Sequence, residues 1–528
     1  MISRPGVWTT GGLLDRSVER VPDQTFLYFG DFTVTFREFD ERVNRVANLL
    51  ANLGVKHGDR VAVIMANCPE FLYAYYATGR LGAVFVPLVT QSKLREIEYT
   101  VEHSDAEILL ADAERWEYIR EACKQVPSGP LNRLRAVVAT GRSNDDSAFD
   151  FHELMESAST RRRSVSVAPE DLVALMYTSG TTGKPKGVMH THYIAVAQAA
   201  AINERMKYTT NDRLLTIFPL YHGNALVWSG LTAMWASAGF IVTEKFSASR
   251  FWDQVRRYGA TEVNLLEGAI NMILAQPERP DDRDHPLRVT LATLTESLYR
   301  QFTERFGVDV VTTWCLAEAP LGTMTAPGFG YTPKIVGWPM GWNNSIMVLD
   351  GEGAECPPGV IGELTAANDA IMKGYWKNPA ETARVVRNGR VHSGDLGFRG
   401  EDGYFYYEGR DKHVIRRSGE SVSGEEVEDA VNSHPAVVES AAVAVPDRIR
   451  GEEIKVFVVR HHQTNLTEAD VADWCAQSLA DFKVPRYVEF RDALPKTGTE
   501  RVRRHLLKTE PALTECWDRM AQNSRTER

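Results

Sequence analysis

Cysteine is scarce in this sequence and never occurs as a closely spaced pair. Only six cysteines stand among the 528 residues, and no CxxC spacing is present. Zinc ribbons and redox dithiols need such pairs, and disulfide-rich secreted domains carry many more cysteines. The sequence therefore predicts a protein of a reducing compartment, the cytoplasm, without a cysteine-bound zinc ion.

An excess of positive charge is also missing. Lysine and arginine number 60 against 70 aspartate and glutamate residues, which gives a formal net charge of −10. Proteins that bind nucleic acid through its backbone generally present a basic surface. We therefore predict no nucleic-acid partner, although local basic loops can still bind anionic cofactors.

Long apolar runs without interruption are not found. Residues 1–22 mix charged residues with glycine, which is not the pattern of a signal peptide. The stretch from Leu214 to Thr243 has no charged residue and exceeds the roughly 20 residues of a membrane helix, yet Pro219 and Gly223 interrupt it. We predict no membrane span, but a buried strand, a helix and a second strand, at 214–218, 225–236 and 240–243.

Internal repeats are absent too, and the length excludes a single core. A chain of 528 residues and 59.1 kDa is expected to form two or more domains. Helical patterns alternate with short apolar runs from residue 13 to about residue 335, for example a helix at 36–53 before strands at 60–65 and 83–88. Strands separated by helices predict an α/β fold, with doubly wound parallel sheets covered by helices on both faces.

Two changes of pattern divide the rest of the chain. Short strands and Gly/Pro turns between residues 335 and 410 predict a small β-rich subdomain. After Arg410 a helix at 425–432, two strands and a helix at 468–479 predict an α+β domain. We therefore predict an N-terminal domain over 1–410, which includes the subdomain at 335–410, and a small mobile C-terminal domain over 411–528.

The most informative stretch is the polar loop at residues 177–188, YTSGTTGKPKGV. It follows an apolar run at 172–176, predicted to be a buried strand, and precedes a helical stretch at 195–201. Its three glycines and four hydroxyl side chains can wrap backbone N–H groups around an anion, and Lys186 adds a compact positive charge. It is not a Walker A loop, because Pro185 follows Gly183-Lys184. The loop predicts phosphate binding by another type of site.

This loop resembles the signature of the adenylate-forming superfamily, which contains acyl-CoA synthetases, adenylation domains of peptide synthetases and luciferases. Other stretches resemble further motifs of the family in the same order, at 54–61, 218–222, 362–364, 374–376, 393–396 and 409–412. The amino-acid sequence at 417–428, together with those at 264–266 and 284–288, is most similar to carnitine/crotonobetaine-type acyl-CoA ligases.

The resemblance implies a role for each matching residue. Glu318 is the implied metal ligand and forms a catalytic set with His222 and Arg501, while Lys412 is the implied hinge. The implied nucleotide-binding residues are Thr178, Ser179, Gly180, Thr181, Thr182, Lys186, Ala292, Thr293, Trp314, Cys315, Ala317, Glu318, Asp395 and Arg410. The implied CoA-binding residues are Ser418, Gly419 and Glu420, and the implied acyl pocket is lined by Tyr221, His222, Gly268 and Leu291.

The family reaction, as the resemblance implies it, has two steps. A carboxylate attacks the α-phosphate of ATP to give an acyl-adenylate and pyrophosphate; after the small domain rotates, the thiol of CoA attacks the adenylate. The implied cofactors are CoA and the AMP moiety of an acyl-adenylate, or ATP with Mg²⁺ if adenylation is retained. The implied partner is a small carboxylic acid or its adenylate.

Three departures from the family pattern concern the first step. Ala317 stands where the family's Tyr-Gly-x-Thr-Glu motif has threonine, residues 291–294 replace a Gly- and Pro-rich adenine loop, and Arg501 stands where lysine is usual. Arginine is a wide planar fork and does not simply replace an ammonium group in a tight site. We therefore predict a ligase that transfers supplied acyl-adenylates to CoA, with adenylation weak or absent and a separate adenylating enzyme as supplier.

Alternative functions follow from the same residues. If Arg501 neutralises phosphate well enough, the chain is a complete ATP-dependent acyl-CoA synthetase. An adenylation module that loads a carrier protein commonly has an aspartate near position 222, which this chain lacks. A catalytically silent nucleotide-binding protein would not need Lys186, Glu318 and Asp395. The sequence leaves open the identity of the acid and whether the protein is a homodimer.

Overall fold

The computed structural model describes residues 7–125, 129–141, 148–178, 184–294, 296–410, 414–461, 464–495, 502, 504–508 and 516–521. Up to residue 311 helices and strands alternate, as the hydrophobic pattern predicts. The strands are β1 (Thr25–Phe29), β2 (Phe32–Thr35), β3 (Arg60–Ile64), β4 (Val84–Pro87), β5 (Ile108–Asp112), β6 (Ala136–Thr140), β7 (Phe149–Asp150), β8 (Leu172–Thr178), β9 (Lys186–Thr191), β10 (Arg213–Thr216), β11 (Gly239–Val242), β12 (Glu262–Asn264), β13 (Val289–Leu291) and β14 (Asp309–Val311).

The helices of this region separate the strands. They are α1 (Thr10–Arg20), α2 (Phe36–Asn52), α3 (Pro69–Leu81), α4 (Leu94–Ser104), α5 (Ala113–Gln125), α6 (Phe151–Ser157), α7 (His192–Met206), α8 (Thr232–Ala236), α9 (Phe251–Tyr258), α10 (Glu267–Leu274) and α11 (Glu296–Phe306). Short 3-10 helices lie at Pro130–Arg133 and Ala248–Arg250, and a π-helix lies at Asn224–Leu231.

Two seven-stranded sheets form the large domain. One has the order β14-β13-β12-β10-β11-β1-β2 and the other β7-β6-β5-β3-β4-β8-β9. All neighbours are parallel except the hairpins β1–β2 and β8–β9. The strands are apolar over most of their length because helices cover both faces of parallel sheets. The predicted α/β fold is confirmed.

A shared core joins the two sheets. Val63 of β3, Phe240 of β11 and helical residues such as Phe39 of α2 belong to one buried cluster, so α1–α3, α7 and α8 pack between the sheets. Helix α2 begins at a capping box, in which Thr35 and Glu38 satisfy each other's backbone N–H groups. Apolar spacing and capping thus explain why the predicted helix at 36–53 is observed almost unchanged.

Two helices were predicted at the right places but without their details. The helix predicted at 225–236 is observed, and it begins as a π-helix and becomes α-helical at Thr232. Its side chains are apolar on all sides, so periodicity could not separate the two hydrogen-bond patterns. The helix predicted at 195–201 lies within α7, but the strand before it was not predicted: Lys186 begins β9, which pairs antiparallel with β8.

The β-rich region begins earlier than residue 335. It contains β15 (Thr313–Trp314), β16 (Thr323–Met324), β17 (Ile335–Pro339), β18 (Ser345–Leu349), β19 (Gly362–Ala367), β20 (Val386–Arg387), β21 (Arg390–Arg399) and β22 (Phe405–Arg410), with α12 (Pro379–Val385). Its strands pair antiparallel in the order β15-β16-β17-β22-β21-β19-β18, with β20 on β21. Two predicted nucleotide-binding residues lie in this sheet: Trp314 in β15 and Asp395 in β21.

A small C-terminal domain follows, as predicted. It contains β23 (Val414–Arg417), β24 (Glu420–Ser423), α13 (Gly424–Asn432), β25 (Val437–Asp447), β26 (Gly451–Arg460), α14 (Glu468–Ser478), a 3-10 helix (Asp481–Lys483), β27 (Tyr487–Phe490), α15 (Arg504–Lys508) and β28 (Trp517–Asp518). Its own apolar core lies between the sheet and α13 and α14. In the part of the chain that the structure describes, no helix is long and apolar enough to cross a bilayer.

Candidate active site

Lys186 of the phosphate-loop hairpin is held by an acidic partner. Its side chain is 8% exposed, and its Nζ forms an ion pair with Glu381 at the start of α12. Glu381 also accepts from Arg384. The hydrogen bond from Arg384, followed by the one from Lys186, lowers the pKa of Glu381 to about 2. The lysine therefore keeps a fixed position beside the loop.

Glu318, the predicted metal ligand, lies next to this lysine. The Tyr375 hydroxyl donates to Glu318 Oε1 at 2.6 Å, and its ring centroid is 5.5 Å from Lys186 Nζ. Burial, with the nearby Glu318 charge, raises the pKa of the Tyr375 hydroxyl, so it remains a donor. Among the residues that the structure describes, Glu318 is not part of a cluster of three or more His, Cys, Asp or Glu side chains. A single carboxylate fits Mg²⁺ that is held mainly by substrate phosphates and water.

Asp395 and Trp314 meet in the interior of the β-rich sheet. Asp395 is 0% exposed, and its Oδ2 accepts from Trp314 Nε1 at 2.8 Å. The backbone N–H of Asp395 donates to the Ser393 hydroxyl at 2.9 Å, which fixes the turn before it. The two residues were both predicted to contact the nucleotide, and the structure brings them into direct contact with each other.

The predicted nucleotide-binding residues Ala317, Cys315, Ala292 and Thr293 have different surroundings. Ala317 accepts through its carbonyl from His190 Nε2 at 2.7 Å, and burial lowers the pKa of His190 and thereby favours the neutral ring. Burial raises the pKa of the Cys315 thiol to about 12, which excludes a reactive thiolate near neutral pH. Ala292 is buried and Thr293 is exposed at the carboxyl end of β13. That edge is where open α/β sheets bind ligands.

Several predicted site residues lie at the limits of the described residues or outside them. Thr178 is the half-buried last residue of β8. Of Arg410 only the backbone, at the end of β22, is described. The remaining predicted residues that lie outside the described residues are Ser179, Gly180, Thr181, Thr182, Lys412 and Arg501.

The predicted acyl pocket is built around Tyr221 and His222. The Tyr221 hydroxyl donates to Gln91 Oε1 at 3.1 Å and lies 3.2 Å from Glu420 Oε1. His222 Nδ1 accepts from the backbone N–H of Asn224 at 3.1 Å, and its ring stacks on Phe218. In the neutral ring the proton is therefore on Nε2. Both residues precede the π-helix, a distortion that is frequent at functional sites.

Leu291 and Gly268 have different surroundings. Leu291, the last residue of β13, is 7% exposed in the shared core. A Cβ atom on Gly268, which the resemblance places in the acyl pocket, would lie 2.1 Å from the carbonyl oxygen of Ile449 in the small domain. The absence of a side chain at Gly268 thus permits close contact between the two domains.

The predicted CoA-binding residues form a tight hairpin turn. Ser418 and Gly419 have φ values of 52° and 88° and join β23 to β24. Two residues with positive φ make the type I′ turn that suits the twist of a hairpin. A Cβ atom on Gly419 would lie 2.1 Å from Leu266 Cδ1 of the large domain. The positive φ and this close approach both favour glycine here, and Glu420 beside it reaches Tyr221.

The small domain contacts the large one at further points around this turn. Lys483 Nζ lies 2.6 Å from Glu96 Oε1, Lys93 lies 3.4 Å from Asp481, and Asn271 Nδ2 donates to the carbonyl of Arg448 at 2.8 Å. Polar contacts between the two domains therefore accompany the approach of the Gly419 turn to Leu266 and of Glu420 to Tyr221.

Sequence reasoning missed three groups of this site. Tyr375 lies in a motif noted at 374–376 but received no role, and nothing marked Glu381 as the partner of Lys186. Asn264, also in a noted stretch, is 3% exposed and donates to Asn224 Oδ1 at 2.9 Å and Ser229 Oγ at 3.1 Å. Asn264 thus places a polar side chain against the π-helix, whereas Tyr375 and Glu381 hold Glu318 and Lys186.

Comparison with known proteins identifies the class that this fold and site belong to. Residues 14–376 match the AMP-binding enzyme family, and residues 426–501 match the AMP-binding enzyme C-terminal domain. The chain therefore belongs to this adenylate-forming family.

Three relatives of this chain are CoA ligases or CoA synthetases. The chain is 32% identical to a crotonobetaine/carnitine–CoA ligase of Salmonella agona over 92% of this chain and 96% of that relative. It is similar to o-succinylbenzoate CoA synthetase from Bacillus subtilis bound with a product analogue (25% identity, 94% and 98% coverage, TM-score 0.83) and to a Mycobacterium tuberculosis fatty acyl CoA synthetase (25%, 95% and 97%, 0.72). The protein is an acyl-CoA ligase of the adenylate-forming family.

Proposed function

We propose that this ligase mainly catalyses the second half of the family reaction. In that step the thiol of CoA attacks the acyl carbon of an acyl-adenylate, the bond to AMP breaks, and the products are acyl-CoA, AMP and a proton. Adenylation of the free acid by ATP is slow or absent. The substrate is a small carboxylic acid, supplied as its adenylate by a separate enzyme.

The observation that carries this proposal is the ion pair between Lys186 and Glu381. Glu318, the predicted metal ligand, also has a protein partner, because it accepts from the Tyr375 hydroxyl. A nucleoside triphosphate would need both groups to be available, because its reaction depends on neutralising charge on phosphoryl oxygens. The contact between Trp314 and Asp395 bears equally on both steps, because an acyl-adenylate carries the same ribose as ATP.

The arrangement of the small domain favours the second step. The Gly419 turn lies against Leu266, and Glu420 reaches Tyr221. A glycine at this point keeps the turn thin, so that its backbone lies close to Leu266 and beside Tyr221. Thiol attack on an adenylate also demands less of the protein, because the acyl group is already activated and AMP leaves with its charge on a phosphate.

A complete ATP-dependent synthetase is the second candidate. The presence of Lys186, Glu318 and Asp395 within one site favours it, because a pure thiol-transfer enzyme has less use for a metal-binding carboxylate. Under this alternative, Glu318 and the substrate phosphates would hold Mg²⁺, which supplies charge neutralisation at the α-phosphate. The two candidates differ in one measurable property, the release of pyrophosphate.

The test uses the full chain and a panel of acids named for the relatives: crotonobetaine, carnitine, o-succinylbenzoate and a fatty acid. Each is supplied once as its synthetic adenylate with CoA and once as free acid with ATP, Mg²⁺ and CoA. We expect thioester formation from at least one adenylate. Absence of thioester from every adenylate, with thioester formed from an acid and ATP, would reject the proposal.

A further inference from the structure

A buried ion triad joins helix α4 of the large domain to the small domain. Lys483 is 7% exposed, and its Nζ lies 2.6 Å from Glu96 Oε1 and 2.8 Å from Glu426 Oε1. The side chains of Glu96 and Glu426 are 12% and 10% exposed. Lys483 and Glu426 belong to the same domain, whereas Glu96 belongs to the other.

The charges of the triad explain why Glu96 can hold the small domain against the large one. Although burial disfavours the charged ammonium, Glu426 and Glu96 raise the pKa of Lys483 above its usual value. Removing one partner of a buried charge pair is costly, because the remaining charge is left without compensation. The ion pair between Lys483 and Glu426 lies within the small domain, so it does not depend on how the two domains are arranged. Within the triad, only the ion pair between Lys483 and Glu96 requires the small domain to be docked on the large one as observed.

Helix α4 also contacts the phosphate-loop hairpin. The Tyr99 hydroxyl donates to the carbonyl of Pro185 at 3.0 Å, and Lys184 Nζ lies 5.7 Å from the Tyr99 ring centroid. One turn further, His103 Nδ1 lies 2.8 Å from the Tyr177 hydroxyl. The same helix therefore carries the docking carboxylate near its first turn and the loop contacts along the next two turns.

We propose that Glu96 is a positioning residue for thiol transfer. Its ion pair with Lys483 holds the small domain in the arrangement that brings the Gly419 turn to Tyr221. The pair does not contribute to the adenylation step, in which the family resemblance places the small domain in another orientation. The kinetic part of this inference rests on the proposed function; the docking part does not.

The first experiment measures docking without any substrate. Hydrogen exchange of the Glu96→Gln protein is compared with that of Glu102→Gln, an exposed glutamate on the same helix. We expect exchange at least about threefold faster in peptides covering 93–99 and 479–486 for Glu96→Gln only, because docked segments open less often. Equal exchange in the two variants would overturn the proposal.

A second control separates docking from the folding of the small domain. Glu426→Gln removes the other carboxylate from Lys483 but leaves Glu96 in place. We expect it to keep the slow exchange at 93–99. Faster exchange there in Glu426→Gln as large as in Glu96→Gln would mean that the triad acts as a structural unit, and would also overturn the proposal.

The kinetic experiment uses an adenylate from the panel above. We expect Glu96→Gln to lower the rate of thioester formation about tenfold, because a small misplacement of reacting groups is costly, while the dissociation constant of the same adenylate changes less than about twofold. A tenfold loss of adenylate affinity, or an unchanged rate of thioester formation, would contradict a positioning role. If the wild-type protein forms no thioester from any adenylate, the proposed function fails, and hydrogen exchange still decides whether Glu96 holds the small domain.

Discussion

The indole nitrogen of Trp314 donates a 2.8 Å hydrogen bond to Oδ2 of Asp395, a residue without solvent exposure. A carboxylate in this position has lost its water and needs internal donors. The tryptophan that replaces the family's tyrosine at this point supplies one of them. The residue that the resemblance assigns to ribose is thereby part of the interior hydrogen-bond network before any nucleotide binds.

The first prediction concerns this pair. Trp314→Phe should lower the free energy of unfolding by about 1.5–3 kcal/mol beyond the packing loss, the range for a hydrogen bond to a charged group. The matched control is Trp342→Phe, whose Nε1 donates to the neutral Tyr193 hydroxyl at 3.1 Å. Urea unfolding followed by fluorescence measures both. A larger loss in Trp342→Phe would show that the contact to Asp395 contributes little.

The second prediction concerns the turn at Gly419. Gly419→Ala should slow thioester formation by at least about tenfold, because the new Cβ would overlap Leu266 and move the turn. Gly389→Ala is the control, since Gly389 has a similar φ of 72° with no atom within 4 Å of the added Cβ. Both should lose about 1 kcal/mol of stability from the strained backbone. Only Gly419→Ala should lose activity; equal activities would refute the close approach.

The third prediction is a pH dependence of stability. Glu381 has a pKa lowered to about 2, so its contribution is complete above the ordinary carboxylate pKa of about 4.5 and is lost as pH falls towards 2. Wild type should exceed Glu381→Gln by about 1–2 kcal/mol at pH 6, after allowing for solvent screening. The difference should shrink between pH 4.5 and 2. A difference that stays constant over that interval would exclude ionisation of Glu381 as its cause.

The fourth prediction concerns the metal. Glu318→Gln and removal of Mg²⁺ by a chelator should each abolish any pyrophosphate release from acid and ATP. Thioester formation from a supplied adenylate should change less than about threefold, because no triphosphate is present to be neutralised. Tyr375→Phe, which removes only the donor to Glu318 Oε1, serves as a milder variant of the same contact. Loss of both activities on chelation would place the metal in the thiol-transfer step as well.

The sequence predicted those parts of the fold that depend on interactions between residues close together in the chain. The helix at Phe36–Asn52 and the parallel strands were predicted because apolar spacing and caps are local signals. The strand β9 was not predicted, because it exists only through pairing with β8 across the phosphate loop. The helix predicted at 195–201 lies within α7 (His192–Met206), because its pattern of small apolar residues is a local signal.

In the site, too, the sequence predicted single residues but not the contacts between residues far apart in the chain. Motif order suggested Lys186, Glu318 and Asp395, but the motifs say nothing about their protein partners. Glu381 is 195 residues from Lys186, and Lys483 is 387 residues from Glu96. Pairs at such separations are set by how the sheets and the two domains pack. The close approach of Gly268 to Ile449 has the same origin.

The altered C-terminal motif gives a fifth prediction. Arg501→Lys introduces the residue that the family usually has there. We expect pyrophosphate release from acid and ATP to rise less than about tenfold, because Ala317 and the ion pair between Lys186 and Glu381 remain. Recovery of a rate equal to that of thiol transfer would show that Arg501 alone limits adenylation.

The central claim is that this ligase transfers supplied acyl groups faster than it activates free acids. The most direct measurement is the ratio of two initial rates for one acid: thioester formation from its adenylate plus CoA, and pyrophosphate release from the acid plus ATP and Mg²⁺. Losing one well-placed donor to a developing oxyanion typically lowers a rate by about 10²–10³. We predict a ratio of at least about 10². A ratio near one would contradict the claim and identify the protein as a complete ATP-dependent synthetase.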